Sequence, residues 1–228
     1  MTLSEIKSAV ALRGTPWGQT AYSNSSDFTN LINMRLSTWA GATRCWFSHN
    51  ITLNHSGSAG PFSLIDSDNW LVNSANVTLI EVADLYQNDI LMETLDYASV
   101  SRTISPIVPA FGAIGSGWIR TDQRTIKLFG TPSASDVIRV EAYYVPPALA
   151  DSDDNLDLIP GMDEDFVDFV LEEYIRATAS GGEQMAVYSD LRAKNEQKVA
   201  AWRRSCRVYP KMANRLISST HIFTPGGC

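Results

Sequence analysis

Residues 137–147 read Val137-Ile138-Arg139-Val140-Glu141-Ala142-Tyr143-Tyr144-Val145-Pro146-Pro147, and this run, with the helix that follows it, decides the fold. The β-branched and aromatic residues from Val137 to Val145 make a strand. Pro146-Pro147 ends it, because proline has no N–H to give a ladder and constrains the residue before it. The chain then crosses an acidic linker, Ala148 to Met162, and Asp163-Glu164-Asp165 opens a helix with negative charge where the macrodipole favours it. Phe166, Val167, Phe169, Val170, Leu171, Tyr174 and Ile175 wrap more than half of that helix, which runs to about Ala179. It is expected to be covered on several sides and central to a helical part.

Upstream of this passage, the period changes to that of strands from Cys45 to Pro147. Ile51-Thr52-Leu53, Phe62-Ser63-Leu64, Val77 to Val82 and Thr125 to Phe129 are the strand candidates. Turn clusters at Asn54 to Pro61 and Gly130 to Ser135 separate them, and Ser105 to Gly117 reads as a long excursion. Before Cys45, two helices are predicted. Leu3, Ile6, Ala9 and Val10 form a short stripe, with Thr2 as N-cap and Glu5 reaching back. Phe28, Leu31, Ile32, Arg35, Leu36 and Trp39 form a longer one, and Arg13 to Ser25 is a loop between them.

Downstream, Gly181-Gly182 breaks the chain. Tyr188, Leu191, Val199, Trp202 and Cys206 then share one face of a more exposed amphipathic helix, with Asn195 as a polar interruption. Arg207 to Cys228, with Pro210, Pro225, Gly226 and Gly227, reads as an extended tail. The expected class is α+β: an antiparallel β-sandwich or barrel, residues 45–147, inserted between N-terminal helices and a C-terminal helical pair. Residues 1–44 and 148–206 make the helical subdomain, and residues 207–228 the extended C-terminal tail.

A chain of 228 residues, 44% hydrophobic and 19% charged, buries a sufficient core without metals or disulfides. Cys45, Cys206 and Cys228 are far apart and odd in number, so reduced thiols are expected. The start lacks the basic-then-apolar pattern of a signal peptide and no long apolar run follows, so the expectation is a cytosolic protein with no membrane partner.

Charge is segregated along the chain. Asp151 to Glu173 holds ten acidic residues and no Lys or Arg, whereas Arg192 to Arg215 holds eight basic residues against the single acid Glu196. The basic stretch Arg192, Lys194, Lys198, Arg203, Arg204, Arg207, Lys211 and Arg215 reads as a solvated helix face, a phosphate-binding face or a face for an acidic protein surface. A neighbouring copy's Asp151 to Glu173 is one such surface, and opposite charges on one chain suit head-to-tail association in a ring.

Signatures of chemistry are absent. No Gly-x-x-x-x-Gly-Lys-Ser/Thr loop, His-Glu-x-x-His helix or Gly-x-Ser-x-Gly elbow occurs, so no enzyme, catalytic residue or cofactor is expected. Cys45, His49 and His55 share strand parity but lack a fourth ligand. Asp151, Asp153, Asn155 and Asp157 imitate half of a calcium loop, yet Leu156 stands where glycine is needed and Met162 where glutamate is needed. No metal is expected at either.

The order of these features resembles the head-to-tail connector, or adaptor, proteins of tailed bacteriophages. The resemblance runs from Asp27 to Trp202. Its early part is a helical start with Trp39 and Trp46, then Phe62-Ser63-Leu64-Ile65-Asp66 and Val77 to Val82. Its later part is Ile126-Lys127-Leu128-Phe129-Gly130-Thr131-Pro132, then Val137 to Pro147, then Ile159-Pro160 leading into a helix. The resemblance implies a structural virion protein of the neck, assembled in the host cytoplasm. It would form a ring, usually of twelve copies, beneath the portal, with a tail or stopper protein on its other side and DNA passing through without sequence-specific binding. The family's C-terminal segments commonly reach the portal. Candidate interface residues are therefore Arg203, Arg204, Arg207, Tyr209, Lys211, Arg215, Ile222 and Phe223, with Asp153, Asp154 and Asp157 on the acidic side. The alternatives are another tail or neck component, a sandwich module whose basic helix grips nucleic acid, and an enzyme of unfamiliar type.

Overall fold

The computed structural model describes residues 1–14, 26–94, 117–130, 132–178 and 181–219, and the side chains of all of these except 178 and 207–219. The chain forms two compact units: Met1–Cys45 with Ala148–Cys228, and Trp46–Pro147.

The helical unit contains α1 (Leu3–Gly14), α2 (Ser26–Thr43), α3 (Asp163–Thr178) and α4 (Gly182–Ser219). A capping box opens α1: Thr2 Oγ1 accepts from the Glu5 N–H at 3.2 Å, and Glu5 Oε2 accepts from the Thr2 N–H at 2.7 Å. The acidic linker docks on this end of α1. Leu3 and Ser4 donate to the carbonyls of Asp154 and Ser152, and Leu156 donates to the Met1 carbonyl. Three acids, Asp163, Glu164 and Asp165, occupy the first turn of α3. That helix touches α1, α2 and α4, and its residues from Phe166 to Ile175 are buried apart from Asp168. Trp39 of α2 is fully buried and meets Phe166 and Phe169 edge-on, with ring centroids 6.0 and 5.0 Å away. Such aromatic pairs add to simple burial.

The other unit is a β-sandwich. Its larger sheet has the order β4 (Ala75–Asn76), β3 (Trp70–Val72), β1 (Phe47–Leu53), β10 (Ile138–Val145), β5 (Thr78–Gln87), β6 (Ile90–Leu91), all antiparallel. The smaller has the order β2 (Phe62–Ser63), β9 (Thr125–Phe129), β8 (Gly117–Asp122), β7 (Glu93–Thr94). Ile51, Trp70, Leu85, Ile138 and Val140 from the first sheet and Phe62, Trp118, Ile126 and Leu128 from the second share one core. The two sheets keep separate edges, so the unit is a sandwich and not a closed barrel. The one parallel pair among the described strands joins β7 to β8, and residues 95–116 supply the long connection that parallel pairing requires.

Two hairpins of the larger sheet turn on two residues each. Asn73 and Ser74 join β3 to β4 with φ of 49° and 68°, and Asn88 and Asp89 join β5 to β6 with φ of 51° and 65°. Positive φ at both central positions matches the twist of the flanking strands. Asp136 ties the second hairpin down. Its carboxylate accepts from Asn88 Nδ2 at 2.9 Å, Gln87 Nε2 at 2.8 Å and the Ser133 N–H at 2.7 Å.

One expectation changes. The chain from Arg207 does not leave as an extended tail but continues as α4 to Ser219. Pro210 is the only helix breaker between Arg207 and Ser219, and Lys, Met, Ala, Arg and Leu in that stretch are good helix formers. The loop expected at Arg13 to Ser25 lies outside the described residues from 15 onward, as does the excursion expected from Ser105 up to residue 116.

Candidate functional site

The helix pair α3 and α4 is joined by charge. Lys198 Nζ lies 2.9 Å from Asp165 Oδ1 and 2.8 Å from Asp168 Oδ2. Burial works against the Lys198 charge, yet the two carboxylates hold its pKa above the ordinary lysine value. Trp202 Nε1 donates to Asp165 Oδ2 at 2.8 Å, and Arg13 reaches Asp168 from α1. Part of the acidic run and part of the basic run are thus neutralised within one chain. The cations Lys194, Arg203 and Arg204 are exposed and make no ion pair among the described residues.

Beside this seam, α2, α3 and α4 line a groove of about 660 Å³. Arg35 and Asn195 lie at its floor, 9% and 1% exposed. Burial lowers the Arg35 pKa, partly offset by Glu172 and Glu173. Its guanidinium lies 3.4 Å from Glu172 Oε2 and 3.9 Å from Glu173 Oε2, donates through Nε to the Phe169 carbonyl at 3.0 Å, and stacks 3.5 Å from the Phe169 ring centroid. Asn195 Nδ2 donates to the Asp168 carbonyl at 3.1 Å and to Glu172 Oε2 at 2.9 Å. Two buried atoms here have no hydrogen-bond partner, Arg35 Nη2 and Asn195 Oδ1. Glu173 also binds Arg176, and that bond is the main cause of its lowered pKa. Val199 and Ala200 form an apolar wall, and Arg192 and Arg203 complete the lining.

The sequence-derived candidates fall in three places. Arg203 lines the groove and Arg204 is exposed beside it. Arg207, Tyr209, Lys211 and Arg215 lie on the last turns of α4, and Ile222 and Phe223 lie outside the described residues. Asp153 and Asp157 are exposed on the linker. Asp154, half-buried, caps its own loop, accepting from the N–H groups of Ala150 at 2.6 Å and Asp151 at 2.8 Å; these bonds lower its pKa. Sequence reasoning placed Arg35 in an apolar stripe and Asn195 as an interruption without assigning either to a site. A polar residue inside an otherwise apolar helical stripe was the available signal.

The metal candidates have other partners. His55 Nε2 bonds the Asp136 carbonyl at 3.0 Å while its Nδ1 accepts from the Gly57 N–H, and His49 Nδ1 lies 3.3 Å from Glu141 Oε1. Cys45 and Cys206 carry free thiols hydrogen-bonded to one another. This contact, together with burial, pushes the Cys45 pKa up, and it pulls that of Cys206 down. Among the described residues no cluster of His, Cys, Asp or Glu could hold a metal ion, and no helix is long and apolar enough to cross a membrane.

No curated protein matches the chain. A protein-family model described as "SU10 adaptor protein" matches residues 1–209.

Proposed function

The chain belongs to the SU10 adaptor protein family, a phage head-tail adaptor family, and from that premise we propose that it is a ring-forming structural component of the virion neck. The observation that carries this reading is a family match spanning both compact units. As a phage structural adaptor the protein meets other head and tail proteins and resides in the virion. In the finer reading, copies form a ring, twelve by the family resemblance, between the portal and a tail or stopper protein. The ring extends the channel for DNA, which passes without sequence-specific binding, and the neck is assembled in the host cytoplasm. A net charge of -7 supports a conduit from which DNA slides free.

The end of α4 and the residues after it are the proposed portal contact, through Arg207, Tyr209, Lys211, Arg215, Ile222 and Phe223. Its role is mechanical rather than enzymatic, and no catalytic residue is assigned. Electron microscopy and native mass spectrometry of the purified chain mixed with its portal protein test the proposal. A ring or a defined portal complex is expected, and neither forming would overturn it.

A further inference from the structure

Two of the chain's three cysteines meet in the helical unit. Cys45 is the last residue of that unit before the sandwich, just past the end of α2, and Cys206 lies on α4. Both thiols are free, half-buried and hydrogen-bonded to one another. A fully covered cysteine is inert, whereas these two keep part of their surface in solvent, where a small molecule can reach sulfur. Their contact also divides the work between them. Cys206 is the sulfur that ionises first, and Cys45 is the thiol that stays protonated beside it. A nucleophilic thiol with a second thiol in contact is the arrangement of a pair that closes on itself, one sulfur attacking and the other resolving.

The place of the pair in the fold gives such a closure a consequence. Lys198 and Trp202 fasten α4 to Asp165 in the first turn of α3. One turn later Cys206 is the last described side chain of α4 to bond a distant part of the chain. The helix then runs on through residues 207–219, about 20 Å. A covalent link at Cys206 would close a loop that holds the whole sandwich unit, the acidic linker and α3, and long loops gain most from closure.

We propose that Cys45 and Cys206 form a latent clasp, which closes to a disulfide when the protein meets a low-molecular-weight disulfide such as oxidised glutathione and then fixes the base of the last turns of α4. The Cys206 thiolate attacks one sulfur of the oxidant, which leaves as one glutathione thiolate and a mixed disulfide. Cys45 then gives up its proton to that thiolate and attacks the Cys206 sulfur, and the second glutathione departs. The two cysteines lose two electrons and two protons in all, and the oxidant is reduced to two thiols. The timing rests on the adaptor reading: a reducing cytoplasm leaves the clasp open while the neck is assembled, and the medium around a released virion closes it.

The test uses the full chain, first reduced and then exposed to oxidised glutathione, with the products identified by peptide mass spectrometry without reduction. A disulfide between Cys45 and Cys206 is expected as the main product, so that free thiols fall from three to one. Two variants, each also carrying Cys228→Ser, assign the roles. Cys45→Ser should stop at the mixed disulfide on Cys206, and Cys206→Ser should leave Cys45 to react at least about tenfold more slowly. The oxidised wild type should melt at least about 4 °C above the reduced protein, whereas Cys45→Ser/Cys206→Ser should melt alike in both conditions. Three persisting thiols, pairing with Cys228 instead, or a disulfide that leaves the melt unchanged overturns the clasp. Ring and portal-complex formation by the reduced chain is scored separately. If it assembles and the clasp fails, the adaptor reading stands; if the clasp closes and neither ring nor portal complex forms, the adaptor reading falls and takes the proposed timing with it.

Discussion

Arg35→Met is the sharpest test of how the helical unit is held together. Methionine keeps most of the side-chain volume and removes the charge. Three interactions go with it: the pairing with Glu172 and Glu173 at 3.4 and 3.9 Å, the hydrogen bond to the Phe169 carbonyl at 3.0 Å, and the stacking on the Phe169 ring. Glu173 keeps Arg176, so the damage concentrates on Glu172, whose side chain is 9% exposed and is left with the Asn195 amide alone. Removing one partner of a buried pair costs about 3–5 kcal/mol, most of it from the charge left behind. For a chain of this size each kcal/mol shifts Tm by about 2–4 °C, so a fall of about 6–20 °C is expected. Urea unfolding followed by helical circular dichroism measures the free energy. The reasoning also predicts a recovery: Arg35→Met with Glu172→Gln should regain at least half of the loss, since glutamine still accepts from Asn195 but carries no charge. A single variant that loses less than about 1 kcal/mol, or a double variant no more stable than the single, refutes it.

Other consequences are checked more simply. Trp39→Ala should cost about 3–5 kcal/mol by opening a cavity beneath Phe166 and Phe169, read from denaturant midpoints. The hydrogen bonds from Asn88, Ser133 and Gln87 depress the Asp136 pKa. Its contribution to stability is therefore present above the ordinary carboxylate range and lost as pH falls through the lowered native value. Asp136→Asn should accordingly flatten the acid limb of Tm against pH, and an unchanged limb would show that these bonds do not favour the ionised form. Iodoacetamide labelling followed by peptide mass spectrometry should modify Cys206 before Cys45, because their shared hydrogen bond lowers one thiol and raises the other. Equal rates would contradict that contact.

The regular parts of the fold were legible because each carried a clean period. Thr125 to Phe129 and Val137 to Val145 read as strands and form β9 and β10, while the all-round apolar helix after Asp163 is α3, covered by α1, α2 and α4. What the sequence hid has physical reasons. The β3–β4 and β5–β6 hairpins turn on Asn73-Ser74 and Asn88-Asp89, pairs without the glycine that usually announces two positive φ values. β8 opens on Gly117, and the sequence Gly115-Ser116-Gly117 just before the apolar Trp118-Ile119 carries a turn signal that disguises the strand start. Arg207 to Cys228 reads as extended because Pro210, Pro225, Gly226 and Gly227 punctuate it, yet the helix carries Pro210 inside it and runs to Ser219. The groove was the least visible feature. Arg35, Glu172 and Asn195 come from three separate helices, and no linear spacing links them.

The sandwich unit begins at Trp46 and ends at Pro147, and its first and last strands are neighbours: Phe47 pairs with Tyr143, and the Tyr144 N–H donates to the Trp46 carbonyl at 3.0 Å. The chain therefore enters and leaves this unit through one doorway. A segment whose ends already meet can be lengthened, trimmed or exchanged for another without altering the gap that the flanking helices must bridge. The sandwich is in this sense a cassette, free to diverge with whatever it contacts while the helical unit keeps its own sequence constraints.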